Sequence, residues 1–158
     1  MDKHVVEAYE RGWMLFSLAM ILIFLVFIGY TLSGYAFYVP DAAKRIDPTT
    51  VRTGGFPKPH VEEVAPGKYQ AYVIGQAFAW LPGEMHFKVG DEVTFYVTSP
   101  DVQHGFYVHG TNINVQVIPG EVAKVKTIFK RPGEYLVICN EYCGIGHQNM
   151  IGKIVVEE

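Results

Sequence analysis

The sequence predicts an all-β sandwich or barrel preceded by a single membrane-spanning α-helix. Two patterns predict it. One uncharged apolar run near the N-terminus is long enough to cross a bilayer. After it, short β-branched and aromatic segments alternate with glycine and proline turns, with no amphipathic helical stretch between them. At 158 residues the chain has room for one ordinary domain and an appendage.

The helix comes first. No Asp, Glu, Lys or Arg occurs from Gly12 to Pro40, and Trp13 through Ile28 is apolar on every helical face, where about 20 such residues suffice to span hydrocarbon. Trp13 at one end and Tyr35 and Tyr38 at the other resemble the aromatic belts of a spanning helix. Pro40 and Asp41 end the run. A cleaved signal peptide fits less well, because the start Met1-Asp2-Lys3-His4-Val5-Val6-Glu7 mixes charges and the apolar run exceeds the roughly 7–15 residues such peptides use. A buried core helix fits worst, since nothing else in so small a chain could surround it. Lys3 and Arg11 precede the helix while Lys44, Arg45 and Arg52 follow it, so charge alone does not orient it. Residues 1–40 are thus expected as the anchor, 41–63 as a linker carrying Pro48, Pro57, Pro59 and Gly54-Gly55, and 64–158 as the β domain.

Within that domain, Tyr69–Ile74, Glu92–Thr98 and Val122–Phe129 read as strands, and Ile154–Val156 as a closing one. In the third, alternation puts Ala123, Val125 and Phe129 on one face and Lys124 and Lys126 on the other, the pattern of a strand with one wet side. Val89-Gly90-Asp91, Pro119-Gly120-Glu121 and Arg131-Pro132-Gly133-Glu134 supply turns.

Composition excludes one class of function. The formal net charge of −3 offers no basic face for phosphates, so no nucleic-acid partner is expected. The two cysteines are too few for a disulfide framework and stand close together.

The chemistry is concentrated in Cys139-Asn140-Glu141-Tyr142-Cys143-Gly144-Ile145-Gly146-His147-Gln148-Asn149-Met150. Two thiols, an imidazole and a thioether are soft donors that select copper or zinc over magnesium or calcium, and the thioether favours copper. A second imidazole should come from elsewhere. His104 is the leading candidate, because it follows the Glu92–Thr98 strand in a turn-rich stretch; His109 is the alternative, and His4, His60 and His86 are expected at the surface. Against a metal stand a Cys139–Cys143 disulfide, core packing by Met150 and an unpartnered His147, which together require three coincidences at ligand-like spacing.

Cys139-x3-Cys143-x3-His147-x2-Met150, preceded by Ser99-Pro100-Asp101-x2-His104, resembles the dinuclear copper A domain of cytochrome c oxidase subunit II. With one anchor helix the chain looks most like the small B-type haem-copper oxidases of thermophilic bacteria. The resemblance implies a cupredoxin-like Greek-key sandwich or barrel. It implies two copper ions bridged by Cys139 and Cys143, one imidazole each from His104 and His147, and Met150 as a weak axial ligand with the Glu141 backbone carbonyl as its counterpart. The Glu141 carboxylate would correspond to the one that reaches magnesium at a subunit interface in larger oxidases. Phe78 and Trp80, in Gln76-Ala77-Phe78-Ala79-Trp80, correspond to an aromatic cluster where electrons enter; the alternative for them is core filling on one sheet face.

The function so implied is electron transfer: cytochrome c reduces the copper pair, which passes electrons to haem in oxidase subunit I. The chain would cross the bacterial inner membrane once, with the copper domain on the periplasmic side. A nitric-oxide-reducing relative is the alternative reading. The second cysteine is surplus to a mononuclear blue copper site, and a copper chaperone would expose its ligands.

Overall fold

A computed structural model describes residues 2–34 and 41–158. Tyr35, Tyr38 and Pro40, expected at the far end of the anchor, lie outside the described residues. The chain divides into two units, Met1–Phe37 and Tyr38–Glu158.

The first unit is helix α1 (Lys3–Gly34), whose 32 residues correspond to about 48 Å, longer than a hydrocarbon core of about 30 Å. Trp13, Phe16, Phe24 and Val26 are each more than half exposed. Apolar side chains on all sides of a helix are stable in lipid or against another protein, not in water.

The second unit contains strands β1 (Asp41–Arg45), β2 (His60–Ala65), β3 (Lys68–Gln76), β4 (Ala79–Leu81), β5 (Glu84–Lys88), β6 (Glu92–Thr98), β7 (His104–Val108), β8 (Asn114–Val117), β9 (Glu121–Ile128), β10 (Gly133–Cys139) and β11 (Ile151–Glu157). They form a six-stranded sheet ordered β1-β9-β6-β3-β2, with β4 added to β3, and a five-stranded sheet ordered β5-β11-β10-β7-β8. Pairs β3–β6 and β5–β11 are parallel, and the other pairs are antiparallel.

Alternation builds the core. Val93, Phe95 and Val97 point inward from β6, and Phe106 and Val108 from β7. With Val137 of β10 and Ile154 of β11, the β7 residues face those of β6 across the two sheets in one buried cluster. Aromatic contacts knit the two sheets: Phe87 stacks on Phe129 at 5.6 Å and Phe95 meets Phe106 at the same centroid distance.

The expectation of a linker at 41–63 needs correcting. Asp41–Arg45 pairs antiparallel with β9, and His60–Ala65 pairs antiparallel with β3. Between them, Asp47 caps a tight turn over Pro48–Thr50 by accepting from the Thr49 N–H at 2.9 Å. Val51 and Phe56 then bury against Ile74 and Val122 on the outer face of the six-stranded sheet. Val122 is therefore covered on the face that alternation assigns to solvent. The segment shows no period because part of it lies across a sheet as a cover, where position and not alternation decides burial.

Candidate metal centre

The cysteine-rich loop has both ends fixed by strands. β10 ends at Cys139 and β11 begins at Ile151, with Ile138 paired to Ile151 and the Cys139 N–H donating to the Met150 carbonyl at 3.2 Å. Inside the loop, a short turn over His147–Asn149 is closed by the His147 N–H on the Gly144 carbonyl and the Met150 N–H on the His147 carbonyl, both at 3.1 Å. His147 and Met150 therefore return toward the cysteines.

His104 arrives from β7, which pairs with β10 so that Phe106 lies opposite Cys139. Gly105 permits the close approach of the loop, because a Cβ there would collide with Asn140 and Glu141. The Asn140 N–H donates to the Gly105 carbonyl at 3.3 Å, and its side-chain amide donates to Asn114 on β8 at 3.0 Å.

The resulting donors are contiguous. Cys139 Sγ lies 3.8 Å from Cys143 Sγ, and both cysteines are free, well beyond the roughly 2.05 Å of a disulfide. Beside Cys139 stand His104 Nδ1 at 3.8 Å and the Glu141 carbonyl oxygen at 3.2 Å. Beside Cys143 stand His147 Nδ1 at 3.5 Å and Met150 Sδ at 3.8 Å. Each sulfur thus has one imidazole and one weaker donor as neighbours. His104 and Met150 are fully buried. Burial, and then the neighbouring Cys139 sulfur, push the Cys143 thiol up to about 11. Two thiolates in such a place require a cation, and cation binding would expel their protons.

Among the described residues, the one cluster of three metal-ligating side chains is His104, Cys139 and Cys143. It leaves out the Glu141 carboxylate, so a magnesium ion there would need donors from a partner. His109, the alternative imidazole, is exposed and bonds Tyr107 instead; His4, His60 and His86 are exposed.

Trp80 and Phe78 differ in placement. Trp80 is buried at the centre of β4, edge-on to Phe106 at 5.1 Å and to His104 at 6.0 Å. Phe78 is half-buried and its ring covers Gly144 and Gly146, where any Cβ would press on it. Surface contact is open to Phe78 and closed to Trp80.

Sequence reasoning missed Asp101. Its carboxylate lies 3.0 Å from His104 Nε2 through Oδ1, which also accepts from the Val102 N–H at 2.7 Å, while Oδ2 accepts from the Ala77 N–H at 2.9 Å. Burial opposes ionisation of Asp101, but donation from Ala77, His104, Val102 and Ser99 holds its carboxyl below the ordinary range. An Asp three residues before a ligand His was the available signal.

The cytochrome c oxidase subunit II periplasmic-domain family matches residues 81–158, and the transmembrane family of the same subunit matches residues 3–35. Cytochrome c oxidase subunit 2 of Thermus thermophilus is 51% identical over 99% of either chain.

The chain belongs to the cytochrome c oxidase subunit II family.

A chain of a heme-copper terminal oxidase dimer, solved by cryo-EM, superposes with a TM-score of 0.80 at 31% identity, covering 94% of this chain and 99% of that one. The periplasmic domain of subunit II from Bradyrhizobium japonicum shares the fold at a TM-score of 0.53 and 20% identity, over 65% of this chain and 88% of that one. The chain is therefore a single-pass component of a heme-copper terminal oxidase, an oxidoreductase complex, with a cupredoxin domain of the copper A type. These relatives favour the oxygen-reducing reading over the nitric-oxide one.

Proposed function

We propose that this subunit receives electrons from cytochrome c at a dinuclear copper A centre and delivers them to haem in the catalytic subunit. The observation that carries the reading is the even division of donors: two sulfurs 3.8 Å apart, each flanked by one imidazole and one weaker donor. That set suits two soft metal ions sharing two thiolates and leaves one sulfur unexplained by a single blue copper. When bound, two copper ions would supply a one-electron relay with little movement of atoms between oxidation states.

The protein's own residues do the rest. Cys139 and Cys143 would bridge the ions, His104 and His147 would bind one each, and Met150 Sδ and the Glu141 carbonyl would be the weak ligands. Strand ends hold this set in place before metal arrives. Phe78 is the entry residue we favour, since it alone of the two candidate aromatics reaches the surface. Tyr142 and Ile145, at 79% and 89% exposure, offer apolar contact to a donor on the same loop. The copper domain would face the periplasm from the bacterial inner membrane. A magnesium ion would be held by Glu141 only together with groups of the catalytic subunit.

The test is metal counting on the full chain in detergent by native mass spectrometry, together with its electron-spin spectrum. Two coppers per chain, a purple colour and hyperfine splitting from both nuclei are expected; one copper and a blue colour would overturn the dinuclear centre. Met150→Leu is a milder probe. Leucine keeps nearly the same volume in a fully buried position, so both coppers should remain while the reduction potential shifts. Loss of all copper would contradict a weak-ligand role for Met150.

A further inference from the structure

We propose that Asp101 is a positioning residue of the metal centre, setting the tautomer and ring orientation of His104 and tying that ring to the backbone of the segment that carries Phe78. The inference rests on His104 being a metal ligand.

The geometry is specific. His104 is fully buried, and its Nδ1 faces Cys139 Sγ at 3.8 Å while its Nε2 lies 3.0 Å from Asp101 Oδ1. A carboxylate accepts and does not donate, so the Nε2 beside it carries the proton and Nδ1 is left with its lone pair toward the sulfurs. A buried imidazole with this partner is oriented before metal arrives, as the outer partners of metal-bound histidines generally do. Trp80 meets the same ring edge-on at 6.0 Å and limits its tilt.

The other carboxylate oxygen reaches a different element. Oδ2 accepts from the Ala77 N–H at 2.9 Å, one residue before Phe78, whose ring covers Gly144 and Gly146 of the ligand loop. Two hydrogen bonds through one carboxylate thus connect the backbone at Ala77 to the imidazole of His104. Asp101 is itself held by the Val102 N–H at 2.7 Å and by the Ser99 hydroxyl at 3.0 Å, and its side chain is 29% exposed. A carboxylate fixed by four donors on a turn cannot swing away from the ring without breaking several bonds at once.

Asp101→Asn tests the role. Asparagine keeps the shape but removes the charge and one acceptor, so its amide faces either the Ala77 N–H or the His104 Nε2–H donor to donor. In the full chain loaded with copper, we expect two coppers retained, an upward shift of the reduction potential and altered hyperfine coupling to one of the two ligand histidine nitrogens. The direction follows from removing a negative charge beside a cationic centre, which favours the reduced state. Asp101→Glu, which restores the charge, should move the potential back toward the wild-type value. Unchanged potential and couplings in a copper-loaded Asp101→Asn chain would overturn the inference while leaving the wild-type copper count and spectrum, and so the proposed function, intact.

Should Asp101→Asn fail to load copper, the wild-type chain decides. Long-range proton–nitrogen correlation on the copper-free protein should show His104 protonated at Nε2, and protonation at Nδ1 would overturn the inference.

Discussion

Replacing Cys143 with serine is expected to reduce the copper count from two to one and to abolish the spectrum of an electron shared between two nuclei. Serine is nearly isosteric with cysteine, but its hard oxygen is a poor ligand for copper. What remains in the loop and on β7 is the Cys139 thiolate, the imidazoles of His104 and His147, and the Met150 thioether, which is the donor set of a mononuclear blue site. The variant should therefore turn from purple toward blue, not merely fade. Cys143 is buried in the main core cluster, so a hydroxyl there costs about 1–3 kcal/mol if it finds no partner. A thermal melt of the copper-free chain checks that the fold survives that loss. An unaltered spectrum in a folded variant would remove Cys143 from the ligand set and with it the pairing of donors to two sulfurs.

The sequence made parts of this architecture readable for physical reasons that can be traced residue by residue. β6 alternates between core and half-exposed positions, as β9 does after Val122, so Val93, Phe95 and Val97, and later Val125 and Phe129 just past β9, follow the period. β5 alternates as well, with Met85 and Phe87 inward, but at five residues it is too short for its period to stand out. Parallel pairing of β3 with β6 and of β5 with β11 joins segments that no local pattern relates. The cover formed by Val51 and Phe56 likewise depends on where the chain travels, not on the residues' spacing, which is why 41–63 read as a linker.

The candidate site divides in the same way. Four of its side-chain donors fall within twelve residues and are legible because one loop brings them together. His104 needed the β7–β10 pairing, and the turn-rich stretch before it was a sufficient hint. Asp101 shows no role in the sequence, since its partners, Ala77 in the turn between β3 and β4 and His104 at the start of β7, meet it only in the folded chain. The cover has a practical consequence. A soluble fragment begun at Val61 would lack β1, Val51 and Phe56, so one begun at Asp41 preserves the sheet.

Phe106→Ala is expected to destabilise the copper-free β unit by about 3–5 kcal/mol, the usual cost of deleting a fully buried ring. Phe106 is fully buried between Trp80 and Phe95, with ring centroids at 5.1 and 5.6 Å. Neither neighbour can collapse far into the space, because Trp80 is itself packed against His104 and the glycines at 75 and 152. A loss of that size is a large share of the roughly 5–15 kcal/mol that holds an ordinary domain together. It also reaches the site, since His104, Phe106 and Val108 are successive inward residues of β7, and a void under Phe106 frees the strand that delivers the imidazole. Bound metal stabilises only the folded chain, so loading with copper should recover part of the loss. Denaturant unfolding of both forms measures this, with Leu136→Ala as the control. Leu136 faces outward from β10 at 45% exposure, so its truncation should stay within about 0.5 kcal/mol. If Phe106→Ala cost no more than that control, the tight packing of Phe106 between the sheets, and the support it lends His104, would have to be abandoned.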